Sequence, residues 1–163
     1  MSGWAEFYRN KTLAYGAHAA KPSDWKCNPA PPPSLRADLR YQATYTDEQY
    51  AVLAHGFVPQ DMDERWFVVL DNGWLNLYRS WSGSHIYGLH LARADGGGWT
   101  VDESWVTRNP EEYRPVAHGD DGMDFERDTV TSILKNYCFK QHEEWLKVKA
   151  EEEQKAKQVK KST

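Results

Sequence analysis

Residues 65–92 read RWFVVLDNGWLNLYRSWSGSHIYGLHLA, two runs rich in β-branched and aromatic residues broken at Asn72-Gly73. Asn and Gly at the centre of a two-residue loop accept the positive φ that a type I′ hairpin turn demands. The turn predicts strands over 65–70 and 74–81, and it fixes their register. Residues whose numbers add to 145 then lie opposite one another. Leu70 with Leu75, Val68 with Leu77, Trp66 with Arg79 and Glu64 with Trp81 share one face. Phe67 with Tyr78, Val69 with Asn76 and Arg65 with Ser80 share the other. Ser82-Gly83 reads as a second two-residue turn, which places Arg79 opposite Ile86, Tyr78 opposite Tyr87 and His85 opposite Ser80. A third strand follows over 84–92. After the break Asp95-Gly96-Gly97-Gly98, a fourth covers 99–106, with Trp99, Val101, Glu103 and Trp105 alternating.

Outward from this meander the signals become helical. Thr46-Asp47-Glu48-Gln49 matches a capping box, and Gly56 is a natural stop, so a short helix spans about 47–55. Asn109-Pro110-Glu111-Glu112 reads as a helix start that Pro115 soon ends, and 118–124 (HGDDGMD) is a polar loop. Val130, Ile133, Leu134, Tyr137, Cys138, Trp145 and Val148 recur at helical spacing, predicting a C-terminal helix over about 124–150. Residues 151–163 are charged on all sides and are expected to fray. Residues 1–35 carry NPAPPPS (28–34), whose prolines hold polyproline II geometry. They are expected to form an irregular arm, partly disordered, with at most a short turn around Trp4, Phe7 and Tyr8. The expected fold is α+β: a four-stranded antiparallel meander packed on a long C-terminal helix, forming one domain over 36–150. Both sheet faces carry large apolar residues. The C-terminal helix covers one, and the arm with the 47–55 helix, or a ligand, covers the other.

The totals narrow the function classes. At 163 residues with 40% apolar and 27% charged content, the chain is one soluble globular domain in size and composition. A net charge of −4 argues against a protein that coats nucleic acid. No apolar run is long enough to span a membrane and no secretory leader is visible, so no membrane partner is expected. Two cysteines, Cys27 and Cys138, are too few for a disulfide scaffold, which points to a cytoplasmic setting. The histidines, His55, His90 and His118 among them, show no ligand spacing, and neither a metal nor a cofactor is expected. Eight tryptophans and nine tyrosines are many for this length, and they build either a core or a lined pocket. The sequence is compatible with a homo-oligomer.

Arg79 is the most informative charge. The register puts it on a face carrying Trp66, Trp81, Ile86, Leu75 and Leu77, where an unpaired guanidinium costs several kcal/mol. It needs an anion: either an internal partner, Glu64 or Glu103, with stacking on Trp66 or Trp81, or a phosphate or carboxylate of a ligand. Ser80, Ser82 and Ser84 add hydroxyls around the turn. His85 beside Ser80 suggests nucleophilic chemistry, although no G-x-S-x-G elbow and no orienting acid accompany it. Glu103 and Asp102 on the fourth strand are candidate acid/base groups.

The run WFVVLDNGWLNLYRSWSGSHIYGLHL, with ESWVTRNPEEYR at 103–114, resembles small bacterial proteins labelled ADP-ribosyl-dinitrogen reductase hydrolase-like. The likeness covers about 63–114. It is carried by Arg79, Ser80, Trp81, Gly83, Ile86, Tyr87, Trp105, Arg108, Asn109, Pro110 and Tyr113, with Ser82 standing where Thr is usual. The resemblance implies a link to ADP-ribose or NAD chemistry. Arg79 and Arg108 would suit a pyrophosphate, and the flanking tryptophans an adenine. The paired-aspartate, two-magnesium arrangement of ADP-ribosylglycohydrolases is not visible, since Asp120-Asp121 fall in one loop.

Three readings follow. The first is a domain that binds a small anionic, nucleotide-like ligand, with Arg79 as anchor and Trp66, Trp81, Tyr87, Ser80, Ser82, Trp105 and Arg108 around it. It would hydrolyse an ADP-ribosyl-type bond through Glu103 or His85. The second is a non-catalytic protein-interaction module in which Arg79 is a structural ion pair. The third is a biosynthetic enzyme acting on an aromatic small molecule.

Overall fold

The computed structural model describes residues 3–114 and 122–162. Most of the expected polar loop at 118–124, with His118, Asp120 and Asp121, lies outside the described residues. The elements in chain order are α1 (Gly3–Tyr15), β1 (Arg36–Asp38), β2 (Thr44–Tyr45), α2 (Asp47–His55), β3 (Trp66–Asp71), β4 (Trp74–Arg79), β5 (His85–Arg93), β6 (Trp99–Thr107), α3 (Met123–Ile133) and α4 (Lys140–Ser162). The class is α+β, and the antiparallel sheet, in the order β1-β6-β5-β4-β3, contains the expected four-stranded meander as β3 to β6. The sheet has six strands, because β1 and β2 both pair with β6. Strands of three and two residues are too short to show alternation in a sequence.

The β3–β4 hairpin has the register that the turn dictates, from Trp66 opposite Arg79 to Asp71 opposite Trp74. Asn72 and Gly73 take φ of 50° and 83°. The second hairpin departs from expectation. The Ser80 N–H extends the β3 ladder by bonding the Arg65 carbonyl, and the Gly83 N–H returns to the Arg79 carbonyl. The loop closes where Arg79 N–H meets the Ser84 carbonyl, with Gly83 at φ 77°. Tyr78 therefore pairs with His85 and Leu77 with Tyr87, across a bulge. Arg79 is not opposite Ile86, nor Ser80 opposite His85. The bulge sends Ile86 and Tyr87 into the helix-side core, while His85 stacks on Tyr78 of the other face.

The helix-side core gathers Leu39, Leu53, Val68, Leu77, Ile86, Leu89, Val130, Ile133 and Leu134. Helix α2 packs on this side too, so it does not cover the second face as expected. That face, with Phe67, Val69 and Tyr78, lies under Ala20, Trp25, Cys27 and Val58. The arm is strapped there by Trp25 Nε1 donating to the Ser80 carbonyl (2.8 Å) and Asn28 N–H donating to the Gly83 carbonyl (2.9 Å). The capping box of α2 is complete: Gln49 N–H donates to Thr46 Oγ1, and Thr46 N–H donates to Gln49 Oε1. Thr46→Ala is expected to cost about 1 kcal/mol, lowering the melting temperature by about 2–4 °C in a calorimetric scan.

Both ends are more regular than the sequence suggests. The expected irregular arm begins with α1, and the expected frayed tail is helical to Ser162. Each supports the other. The Trp145 indole lies where a side chain on Gly16 would stand, and Arg9 bonds Glu151 and Glu152. The C-terminal helix is interrupted by a wider π-turn over Leu134–Phe139. This turn keeps Leu134 and Cys138 in the core before α4 leaves toward α1. Among the described residues, no helix is long and apolar enough to cross a membrane.

Candidate functional site

Arg79 lies at the end of β4 with its side chain exposed, and its guanidinium sits 5.3 Å over the Trp66 ring. It forms no ion pair among the described residues. Water and the indole face satisfy it, so the expectation of a buried charge requiring an anion does not hold. Glu64, an expected partner, accepts instead from Gln60 N–H (2.8 Å) and lies 3.6 Å from Lys11 Nζ. Arg65, Arg79 and Trp81 line an open hollow of about 240 Å³. Trp81 is 65% exposed and donates through Nε1 to the Met62 carbonyl. Ser80 donates to the Glu64 carbonyl (2.7 Å) and Ser82 to Ser84 (2.9 Å). Both hydroxyls serve the turn, and the suggested Ser80–His85 pair is not formed.

Tyr87 and Arg108 belong to a different cluster, on the helix side. Both meet Glu126, a fully buried carboxylate that the sequence reading missed. Tyr87 donates a short hydrogen bond to Glu126 Oε2, and the Tyr113 hydroxyl lies 2.8 Å from Oε1. Arg108 Nη1 stands 4.0 Å from Oε1, buried and without a hydrogen-bond partner among the described residues. Burial, then the Glu126 bond, raise the Tyr87 hydroxyl far above the ordinary range, so it remains a donor. A signal was present: Met123, Glu126, Val130 and Ile133 are spaced 3, 4 and 3 apart, so Glu126 occupies the buried stripe of α3. Glu126 and the two tyrosine hydroxyls satisfy one another, and Arg108 Nη1 stays without a hydrogen bond at their edge among the described residues.

The opposite sheet face carries a cavity of about 320 Å³ beside His85 and Trp105, lined also by Arg36, Asp71, Asn72, Trp74 and Asn76. Gly88 makes it, because the Trp105 indole occupies the space where a β-carbon at 88 would stand, 2.4 Å from Nε1. Arg36 on β1 lies with Cζ 4.8 Å over the Trp105 ring, and its Nε donates to the Pro31 carbonyl (2.6 Å). The proline segment thus positions the guanidinium, which has no ion-pair partner among the described residues. The His85 ring is stacked on Tyr78 (4.2 Å) and edge-on to Trp105 (4.7 Å).

Its electrostatics are distinctive. His85 is 5% exposed, and among the described residues its buried Nε2 has no hydrogen-bond partner. Burial, then the nearby Arg36 charge, lower its pKa to about 4, against a weaker opposing effect of a hydrogen bond to the Tyr87 backbone. The ring is therefore neutral at pH 7. With one nitrogen engaged by the backbone, Nε2 presents a lone pair.

Of the expected site residues, the fold brings only His85 and Trp105 together here. Glu103 is exposed and opposite His90, so it does not reach His85's cavity wall. Its neighbour Asp102, the extra residue of a β6 bulge, bonds His90 Nδ1 at 2.6 Å. Arg36, Trp74 and Asn76 were not foreseen. Arg36 follows the prolines on a strand of three residues, so no pattern marked its facing. Among the described residues, no cluster of three or more His, Cys, Asp or Glu is gathered for a metal ion. Comparisons with family models, curated proteins and solved structures return no match, so the resemblance noted above rests on its residues alone.

Proposed function

We propose that the chain is a binding domain for a small, planar, anionic ligand of the nucleotide class, held in the cavity of Arg36, His85 and Trp105. The observation that carries this reading is His85 Nε2, a buried acceptor left without a donor beside an unpaired guanidinium. Buried polar atoms are nearly always satisfied, and one left unpaired on a residue that lines a cavity suits a ligand N–H or O–H. Arg36 offers two terminal nitrogens to a phosphate or carboxylate. Trp74 and Trp105 offer aromatic surface to a base, and Asp71 and Asn76 favour its amino groups over a second anion. The anchor is thus Arg36 rather than Arg79. Binding without turnover fits better than ADP-ribosyl hydrolysis, because a histidine with a pKa near 4 is a weak base at neutral pH. The unpaired thiols Cys27 and Cys138 suit a reducing, cytoplasmic setting.

A thermal-shift titration with ADP-ribose, NAD, AMP and indole carboxylate tests the reading. A probe at about 100 times its Kd should add about 2.7 kcal/mol of stability. The gain should vanish in Arg36→Ala and persist in Arg79→Ala. No shift with any probe, or the reverse pattern in the two variants, would overturn the assignment.

A further inference from the structure

Helices α1 and α4 run antiparallel, with Gly16 against Trp145 and Arg9 against Glu152, pairs whose numbers add to 161. The same relation sets Trp4 beside Lys157, at the end of the pair farthest from the sheet. Trp4, Phe7 and Tyr8 are 72%, 47% and 59% exposed there, and Val159 is 65% exposed. The three rings pack on one another, with Trp4 stacked on Tyr8 at 6.2 Å and Phe7 edge-on to Tyr8 at 5.5 Å. They form a single apolar knob. Beyond Glu153, α4 carries Lys155, Lys157, Lys160 and Lys161 and no acid. Arg9 occupies Glu151 and Glu152, and Glu6 and Glu153 lie near the tip among the described residues.

We infer that this tip docks on the surface of an anionic phospholipid bilayer. The charge is complementary: a chain of net charge −4 concentrates four lysines at one helical end, where they meet acidic headgroups. The rings are of the kind that settle at the headgroup boundary, and Val159 is exposed on the same stretch of α4 as the lysines. The lack of a long apolar run bears on spanning a membrane and not on lying at its surface.

Cosedimentation with vesicles tests the inference. Phosphatidylcholine vesicles containing phosphatidylserine should retain the protein at least tenfold more strongly than phosphatidylcholine alone, and added salt should weaken retention. Trp4→Ala with Phe7→Ala should cut retention about tenfold or more. So should Lys157→Glu with Lys161→Glu, which separates charge from ring contact. These side chains are exposed, and an unchanged far-ultraviolet circular dichroism spectrum checks that the fold persists. Equal retention by neutral and anionic vesicles, or none, would overturn the inference. Tip-dependent binding of an oligonucleotide without vesicle binding would instead assign the patch to nucleic acid. Trp4-dependent self-association without lipid would assign it to a second copy of the chain.

Discussion

Glu126→Ala is expected to lower the unfolding free energy by about 3 kcal/mol, read by urea denaturation at pH 7. The substitution strands the Tyr87 hydroxyl, a buried donor left without this acceptor, at about 1–3 kcal/mol, and the half-buried Tyr113 hydroxyl at less. It also removes the only carboxylate within ion-pair reach of Arg108 among the described residues. Arg108 is partly exposed and 4.0 Å away, so water screens much of that contribution, and the hydroxyls dominate. Two companion variants sharpen the result. Glu126→Gln keeps an acceptor and should lose less. Glu126→Met combined with Tyr87→Phe and Tyr113→Phe removes the whole polar set, and should cost less than Glu126→Ala alone. A loss below about 1 kcal/mol for Glu126→Ala would contradict this account.

Acid should weaken the protein through His85, by about 3 kcal/mol between pH 7 and pH 4. The folded pKa is about 4, below the ordinary 6.5. In that window the unfolded chain takes up a proton that the native state refuses. Stability therefore rises with pH, is complete above about 6.5, and is lost as pH falls toward 4. His85→Phe keeps a ring between Tyr78 and Trp105 but cannot titrate, so its stability should stay flatter over the same range. Burial also lowers His142, but that group is common to both proteins and cancels in the comparison. Parallel losses in wild type and variant would remove His85 as the cause.

What was legible in the sequence follows the reach of the signals. Asn72-Gly73 is local chemistry, and its register was readable pair by pair. Thr46 to Gln49 is likewise local, and α2 has its expected limits. Ser82-Gly83 has the same appearance, but Ser80 continues the β3 ladder, so the loop spans 80–83 and closes between Arg79 and Ser84. That shift decides which face Tyr87 takes, and no residue inside the turn announces it. Helix α1 was hidden because only Tyr15 is buried, and its partner is 130 or more residues away in sequence. Arg79 was misplaced for a different reason. Its face was right, but the strand ends there, and the side chain escapes to solvent over Trp66.

The pairing of α1 with α4 also constrains the order in which the chain can be completed. The first described helix to leave the ribosome has its partner at 140–162, and until that segment is made, Trp4, Phe7 and Tyr8 have no neighbouring helix. The meander needs no such wait, because each of its strands pairs with the one made just before it, and β1 and β2 wait only for β6. Closing so long a loop costs entropy that only late contacts return. The helical pair is therefore the last part of the molecule to assemble, on a sheet already formed.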